Sequence, residues 1–125
     1  MQITCPTSNP HRDLVATLYS AVDNLNAKAI GKLVTDDVRF RLGNFDELCG
    51  KQAVIDANNA FFGTISAMRH TIDDIGSEGK TVYCTGSVHY TRQDNSELSL
   101  PFATRLKLDS GRIADYRVYV DVSPL

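Results

Sequence analysis

The chain has 125 residues, of which 42% are apolar and 22% charged, and its formal charge is −2 at neutral pH. That length suits a single domain, residues 1–125, with a core of its own. So small and negative a charge gives no electrostatic hold on nucleic acid or an anionic membrane, and no apolar run is long enough to span a bilayer.

Cys5, Cys49 and Cys84 are odd in number and lack C-x-x-C spacing. They read as free thiols in a reducing compartment, with no staple and no metal site. Met1 to Arg12 lacks the apolar stretch of a secretion signal, so a cytoplasmic protein is expected. Met1 to Ser8 is a polar, loosely held lead-in. Asn9-Pro10 is a helix start, a capping side chain followed by proline at the first helical position. Leu14, Val15, Leu18, Tyr19, Val22 and Leu25 then recur at helical spacing. A second helix is expected over Ala27–Val34, stopped by Thr35-Asp36-Asp37. Val38 to Leu42 alternates apolar and basic residues, as a half-buried strand does. Gly43 to Gly50 is a loop, and a third helix covers Lys51–Ile65, with Asn58 inside its apolar face.

The second half reads as sheet. Met68–Ile75 is a strand ended by Gly76-Ser77-Glu78-Gly79. Lys80–Thr91, Ser96–Leu108 and Arg112–Val122 are three long runs rich in β-branched and aromatic residues. Turns at Arg92–Asn95 and Asp109–Gly111 join them into an antiparallel meander. Long antiparallel strands coil, and a coiled sheet has a concave face that the helices must fill. The class is α+β.

Several phrases sharpen this reading: Val22-Asp23-Asn24-Leu25-Asn26-Ala27-Lys28-Ala29-Ile30, Thr35-Asp36-Asp37-Val38, Gly50-Lys51-Gln52-Ala53-Val54, and Asp109-Ser110-Gly111-Arg112-Ile113 leading to Tyr116-Arg117-Val118-Tyr119-Val120-Asp121. Together they resemble the nuclear transport factor two-like superfamily, and within it the SnoaL-like group. The resemblance implies a cystatin-like cone: a strongly bent antiparallel (mixed) sheet, three helices from the N-terminal half on its concave face, and an internal pocket. It also implies homodimers paired through the outer sheet face. The superfamily holds isomerases, cyclases, dehydratases, epoxide hydrolases and pure binding domains, and fold does not choose among them. Ketosteroid isomerases carry a tyrosine and two aspartates where this chain, laid on their pattern, has Leu18, Thr104 and Leu42. Limonene epoxide hydrolase has an Asp–Arg–Asp triad where it has His89, Ser87 and Val118. Neither catalytic set is present.

With Val118 facing the pocket, alternation turns Tyr116 and Val120 inward too. The same register puts Phe102, Thr104 and Leu106 inward from their strand, Thr85, Ser87 and His89 from theirs, and Phe40 and Leu42 from the first. The expected ligand-binding set is Phe40, Leu42, Phe61, His70, Ser87, Phe102, Thr104, Leu106 and Val118. His89 is the acid–base candidate, because imidazole titrates near neutrality; the alternative is a histidine bonded within the sheet or exposed at its rim. Tyr116 would donate to a ligand oxygen or else pack in the core. Asn58 would orient a ligand or tie down backbone. On the other face Cys84, Val88, Tyr90, Arg105, Ile113, Arg117 and Tyr119 make a dimer surface. The expected function is binding or transforming an apolar, oxygenated small molecule without cofactor or metal, by isomerisation, cyclisation, dehydration or epoxide hydrolysis. The alternative is a non-catalytic binding or dimerising domain.

Overall fold

Four long strands, β4 (Ile65–Glu78), β5 (Thr81–Arg92), β6 (Glu97–Asp109) and β7 (Arg112–Tyr119), form the meander in the computed structural model, which describes residues 1–125. Before them come β1 (Gln2–Ile3), α1 (Arg12–Asp23), α2 (Ala27–Gly31), β2 (Val34–Leu42), β3 (Leu48–Cys49) and α3 (Lys51–Phe62). The sheet order is β1-β4-β5-β6-β7-β2-β3. It is mixed, because β1 lies parallel to β4 and β2 parallel to β7 while the other pairs are antiparallel.

Local chemistry sets the turns. Asp109 pairs with Arg112 across a two-residue loop. Its residues Ser110 and Gly111 both have positive φ, +51° and +81°, which matches the twist of the flanking strands. Between β5 and β6 the Asp94 carboxylate accepts from the Ser96 amide at 3.0 Å and from its hydroxyl at 2.6 Å.

Curvature has a visible origin. The register of β4 on β5 shifts between Ile72 and Asp74, so β4 carries a bulge. Bulges bend a strand and sharpen its twist. Opposite stands Gly86, where an added Cβ would lie 2.0 Å from the Thr71 carbonyl oxygen. Only glycine lets the two backbones come so close.

The concave face takes α1 through Val15, Leu18, Tyr19 and Val22, α2 through Ile30, and α3 through Val54 and Phe62, all buried. From the sheet come Val38, Ile72, Val82, Val88, Leu106 and Ile113. This apolar burial is the main stabilising term.

Several boundaries differ from the sequence reading, each for a local reason. Asn9 does cap, but its Oδ1 accepts from His11 N at 2.9 Å in a turn before the helix, which begins at Arg12. The second helix ends at Gly31, because Val34 already opens β2 by pairing with Ile113 of β7, and the acidic pair falls in the register shift that follows. Phe62 ends α3, where the Thr64 hydroxyl takes the Phe61 carbonyl at 2.7 Å. Gly76 to Glu78 belong to a strand, since each has a partner in β5, and the turn falls at Gly79-Lys80. The first residues are not a loose lead-in: Gln2 and Ile3 pair with Thr71 and Ile72.

Candidate active site

Tyr19 and Asp23 stand four residues apart on the inner face of α1, one turn from each other. The Tyr19 hydroxyl bonds Thr104 Oγ1 on β6. Asp23, at the end of α1, meets β4. Its Oδ2 accepts the backbone N–H of His70 at 2.8 Å, and its Oδ1 lies 2.6 Å from His70 Nδ1. The Met1 amino group is 3.1 Å from the same carboxylate. Burial pushes the Asp23 pKa up, but the bonds from the His70 ring and backbone, with the nearby charge, outweigh it and hold the carboxyl below its ordinary value. An ionised carboxylate only accepts, so His70 Nδ1 carries the proton between them. Nε2 is then the free end of the ring. It has no partner in the chain, and His70, only 5% exposed, lines the cavity.

Aromatic rings hold the imidazole. The Tyr19 ring centroid is 4.5 Å away, and Phe102 meets His70 edge-on at 4.9 Å. Three tyrosines, Tyr19, Tyr90 and Tyr116, border the same space. Burial raises all their pKa values: Tyr90 to about 12, the other two well above the ordinary phenol. Their hydroxyls stay protonated and can donate. Burial also pushes the Cys84 thiol up to about 12, which makes it a poor nucleophile.

The space has two parts. An inner chamber of about 40 Å³ lies under His70, Phe102, Tyr90 and Tyr116. A vestibule of about 430 Å³ opens beside it, between Phe45, Leu48, Ala57, Ala60 and Thr64. Phe40, Leu42, Asn58 and Phe61 border both. Asn58 Nδ2 donates to the Val54 carbonyl at 2.8 Å. Only the amide NH₂ can do that, so Oδ1 is the end left free.

Phe40, Leu42, Phe61, Phe102, Val118, His70, Asn58 and Tyr116 surround this space. His89 does not. It stands on the outer face of the sheet, with Nδ1 2.8 Å from Ser99 Oγ and Nε2 3.1 Å from Glu97 Oε1. Ser87 is exposed on the same side. The reason is register. Phe102 faces Gly86, so Val88 and Tyr90 follow inward and the odd-numbered residues of β5 point out. The dimer surface expected from Cys84, Val88, Tyr90 and Ile113 is corrected by the same fact, since all four are buried in the core. Arg105, Arg117 and Tyr119 remain outside. Thr104 and Leu106 face inward but lie behind the lining. The sequence reading missed Asp23. Its signal was a carboxylate four residues after Tyr19, on the buried side of an apolar helix face. Tyr19, next to Leu18 on α1, is the helix residue that meets Thr104.

Three helices packed on the concave face of a strongly bent, mixed seven-stranded sheet make the cone of the nuclear transport factor two-like class. Within that class the SnoaL-like domain family matches residues 15–116, and the chain belongs to it. No curated protein sequence matches the chain. Among solved structures it is similar to a protein with a ketosteroid isomerase-like fold from Catenulispora acidiphila in complex with trimethylamine, at 18% identity over 90% of this chain and 88% of that one, with a TM-score of 0.83. A LEH-like epoxide hydrolase of M. tuberculosis is 19% identical over 88% and 81% of the two chains, TM-score 0.75. A protein from Jannaschia assigned as a SnoaL-like polyketide cyclase is 14% identical over 98% and 92%, TM-score 0.80. At such identities the likeness is one of fold. No helix is long and apolar enough to cross a membrane.

Proposed function

We propose that the chain is an acid–base enzyme acting on an apolar, oxygenated small molecule, with His70 as proton carrier and Asp23 as the group that orients it. The observation that carries this is the 2.6 Å contact between Asp23 Oδ1 and His70 Nδ1, which leaves Nε2 as the unpartnered nitrogen of a ring that lines the chamber. Nε2 would take a proton from the substrate and return it. Tyr90 and Tyr116 would donate to the oxygen on which charge develops. Isomerisation, cyclisation, dehydration and hydrolysis all fit a proton carrier paired with such donors. The vestibule would hold the apolar body, as ligand sites do. The second reading, a non-catalytic binding domain, is favoured by one feature: the chamber wall has no carboxylate of its own, and Asp23 reaches it only through His70.

The test is imidazole NMR during titration with a panel of apolar ketones, alcohols and epoxides. Ligands are expected to move the His70 ring signals and leave those of His89 in place. Movement of His89 alone would refute the site. Turnover lost in His70→Gln with binding kept would decide for the enzyme over the binder.

A cytoplasmic homodimer completes the proposal. Arg105 and Arg117 are opposite each other on β6 and β7, each with its Nε buried and unpaired, and Tyr119 beside them is 50% exposed. A second copy covering this face would bury Tyr119. Light scattering is expected to give a dimer at micromolar concentration and a monomer for Tyr119→Asp, because a buried unpaired charge is costly. A monomeric parent protein would sink the idea.

A further inference from the structure

We infer that Asn58 is the specificity-determining residue of the cavity, selecting non-anionic ligands that bring a hydrogen-bond donor, a hydroxyl or an N–H, to the throat between chamber and vestibule. This rests on the reading of the cavity as the ligand site.

Four residues border both compartments, and of these only Asn58 can hydrogen-bond. Its amide end is already committed to the Val54 carbonyl, in the preceding turn of the same helix. Asn58 is nine-tenths buried, so its side chain cannot swing out to water. One N–H of its NH₂ is used on Val54, and Oδ1, which has no partner in the chain, is the acceptor left to a ligand in apolar surroundings of Phe40, Leu42 and Phe61. A buried acceptor met by an apolar or acceptor-only group loses its solvation without compensation. A donor from the ligand removes that penalty.

Charge narrows the class further. No lysine or arginine lines either compartment, and the one carboxylate that does is Asp46, in the vestibule. A carboxylate or phosphate would enter a largely apolar site with no cation in its lining and the Asp46 carboxylate in the vestibule. The ligand is not an anion where it passes the throat.

Matched probes test this: 2-naphthol, 2-methoxynaphthalene and 2-naphthoate, titrated against the whole protein and followed by amide NMR. In the parent protein 2-naphthol is expected to bind roughly 3- to 10-fold tighter than its methyl ether, the size of one hydrogen bond, and 2-naphthoate weakest. The Asn58 side-chain NH₂ signals should shift with 2-naphthol. In Asn58→Leu the preference for the hydroxyl should vanish, with naphthol binding weaker and the ether, relieved of an unpaired acceptor, no weaker than before. If that variant does not fold, the parent protein still decides, through the affinity ratio and the Asn58 signals. Equal affinity for naphthol and ether, or a preference that survives Asn58→Leu, would overturn the role of Asn58 while leaving the cavity as the ligand site. If no probe perturbs Phe102 and His70, the site reading falls and this inference falls with it.

Discussion

Gly86→Ala is expected to destabilise the fold by about 3 kcal/mol or more, at the upper end of what overpacking costs. The added methyl would stand 2.0 Å from the Thr71 carbonyl oxygen and 3.0 Å from the Ile72 Cα, both backbone atoms. A side chain could rotate away, but these atoms cannot move without parting β4 from β5 at the bulge. Relief would require losing ladder hydrogen bonds on both sides of Ile72, each worth about 1 kcal/mol. Gly76→Ala is the control, on the neighbouring strand β4 with open space around the new methyl. Melting temperatures should separate the two variants, with a fall of about 10 °C or more for Gly86→Ala and little change for Gly76→Ala. Equal melting temperatures would mean that the close approach at Gly86 does not shape the sheet.

Asp23→Asn is expected to abolish most proton transfer while barely changing the shape of the site. Asp23 Oδ2 takes the His70 backbone N–H, and Oδ1 takes Nδ1–H. An asparagine must keep its oxygen on the backbone N–H, which can only donate. Its NH₂ then faces Nδ1 and forces the ring proton onto Nε2, the nitrogen that should be empty. The same tautomer logic is familiar from catalytic triads. With a turned-over substrate, both Asp23→Asn and His70→Gln should lose about 10²- to 10⁴-fold in rate. Without one, imidazole ¹⁵N NMR serves: Nδ1–H in the parent protein, Nε2–H in Asp23→Asn. The same tautomer in both would remove Asp23 from the mechanism.

Stability should follow in a defined pH window. The Asp23 pKa is lower in the folded chain than in the unfolded one, where it is about 3.9. The carboxylate therefore stabilises the fold fully above that unfolded value. The contribution fades as pH falls through the lower, folded value. The stability gap between the parent protein and Asp23→Asn should shrink as pH falls below about 4. A gap that widened on acidification would contradict the assignment.

The architecture was legible in the sequence because it rests on strong periodic signals. Leu18 and Val22 at helical spacing, and the long runs closed by Asp109-Ser110-Gly111, admit few alternatives. The site was half legible. Phe40, Leu42 and Phe102 sit on strands whose apolar residues alternate cleanly. β5 misled because Gly86 leaves a gap in its inward series of Val82, Cys84, Val88 and Tyr90, while His89 offers more attractive chemistry than any of them. Apolar burial outranks chemical appeal in setting a strand's facing. Asp23 could not be assigned from alternation at all. Its meaning depends on His70, which reaches it only through tertiary packing of β4 on the end of α1.

The parallel contact between β2 and β7 has a bearing on assembly. The hairpins of β4 to β7 join near neighbours in sequence and can form early. β2 must find its partner from the other end of the chain, and closing so long a loop is the slow, entropically expensive event. Phe40 and Leu42 come from one of these strands, Tyr116 and Val118 from the other. No intermediate lacking that contact has a chamber, only an open apolar trough liable to stick to its neighbours. A bound ligand therefore reports completion of folding, and by mass action it draws the chain through that last step.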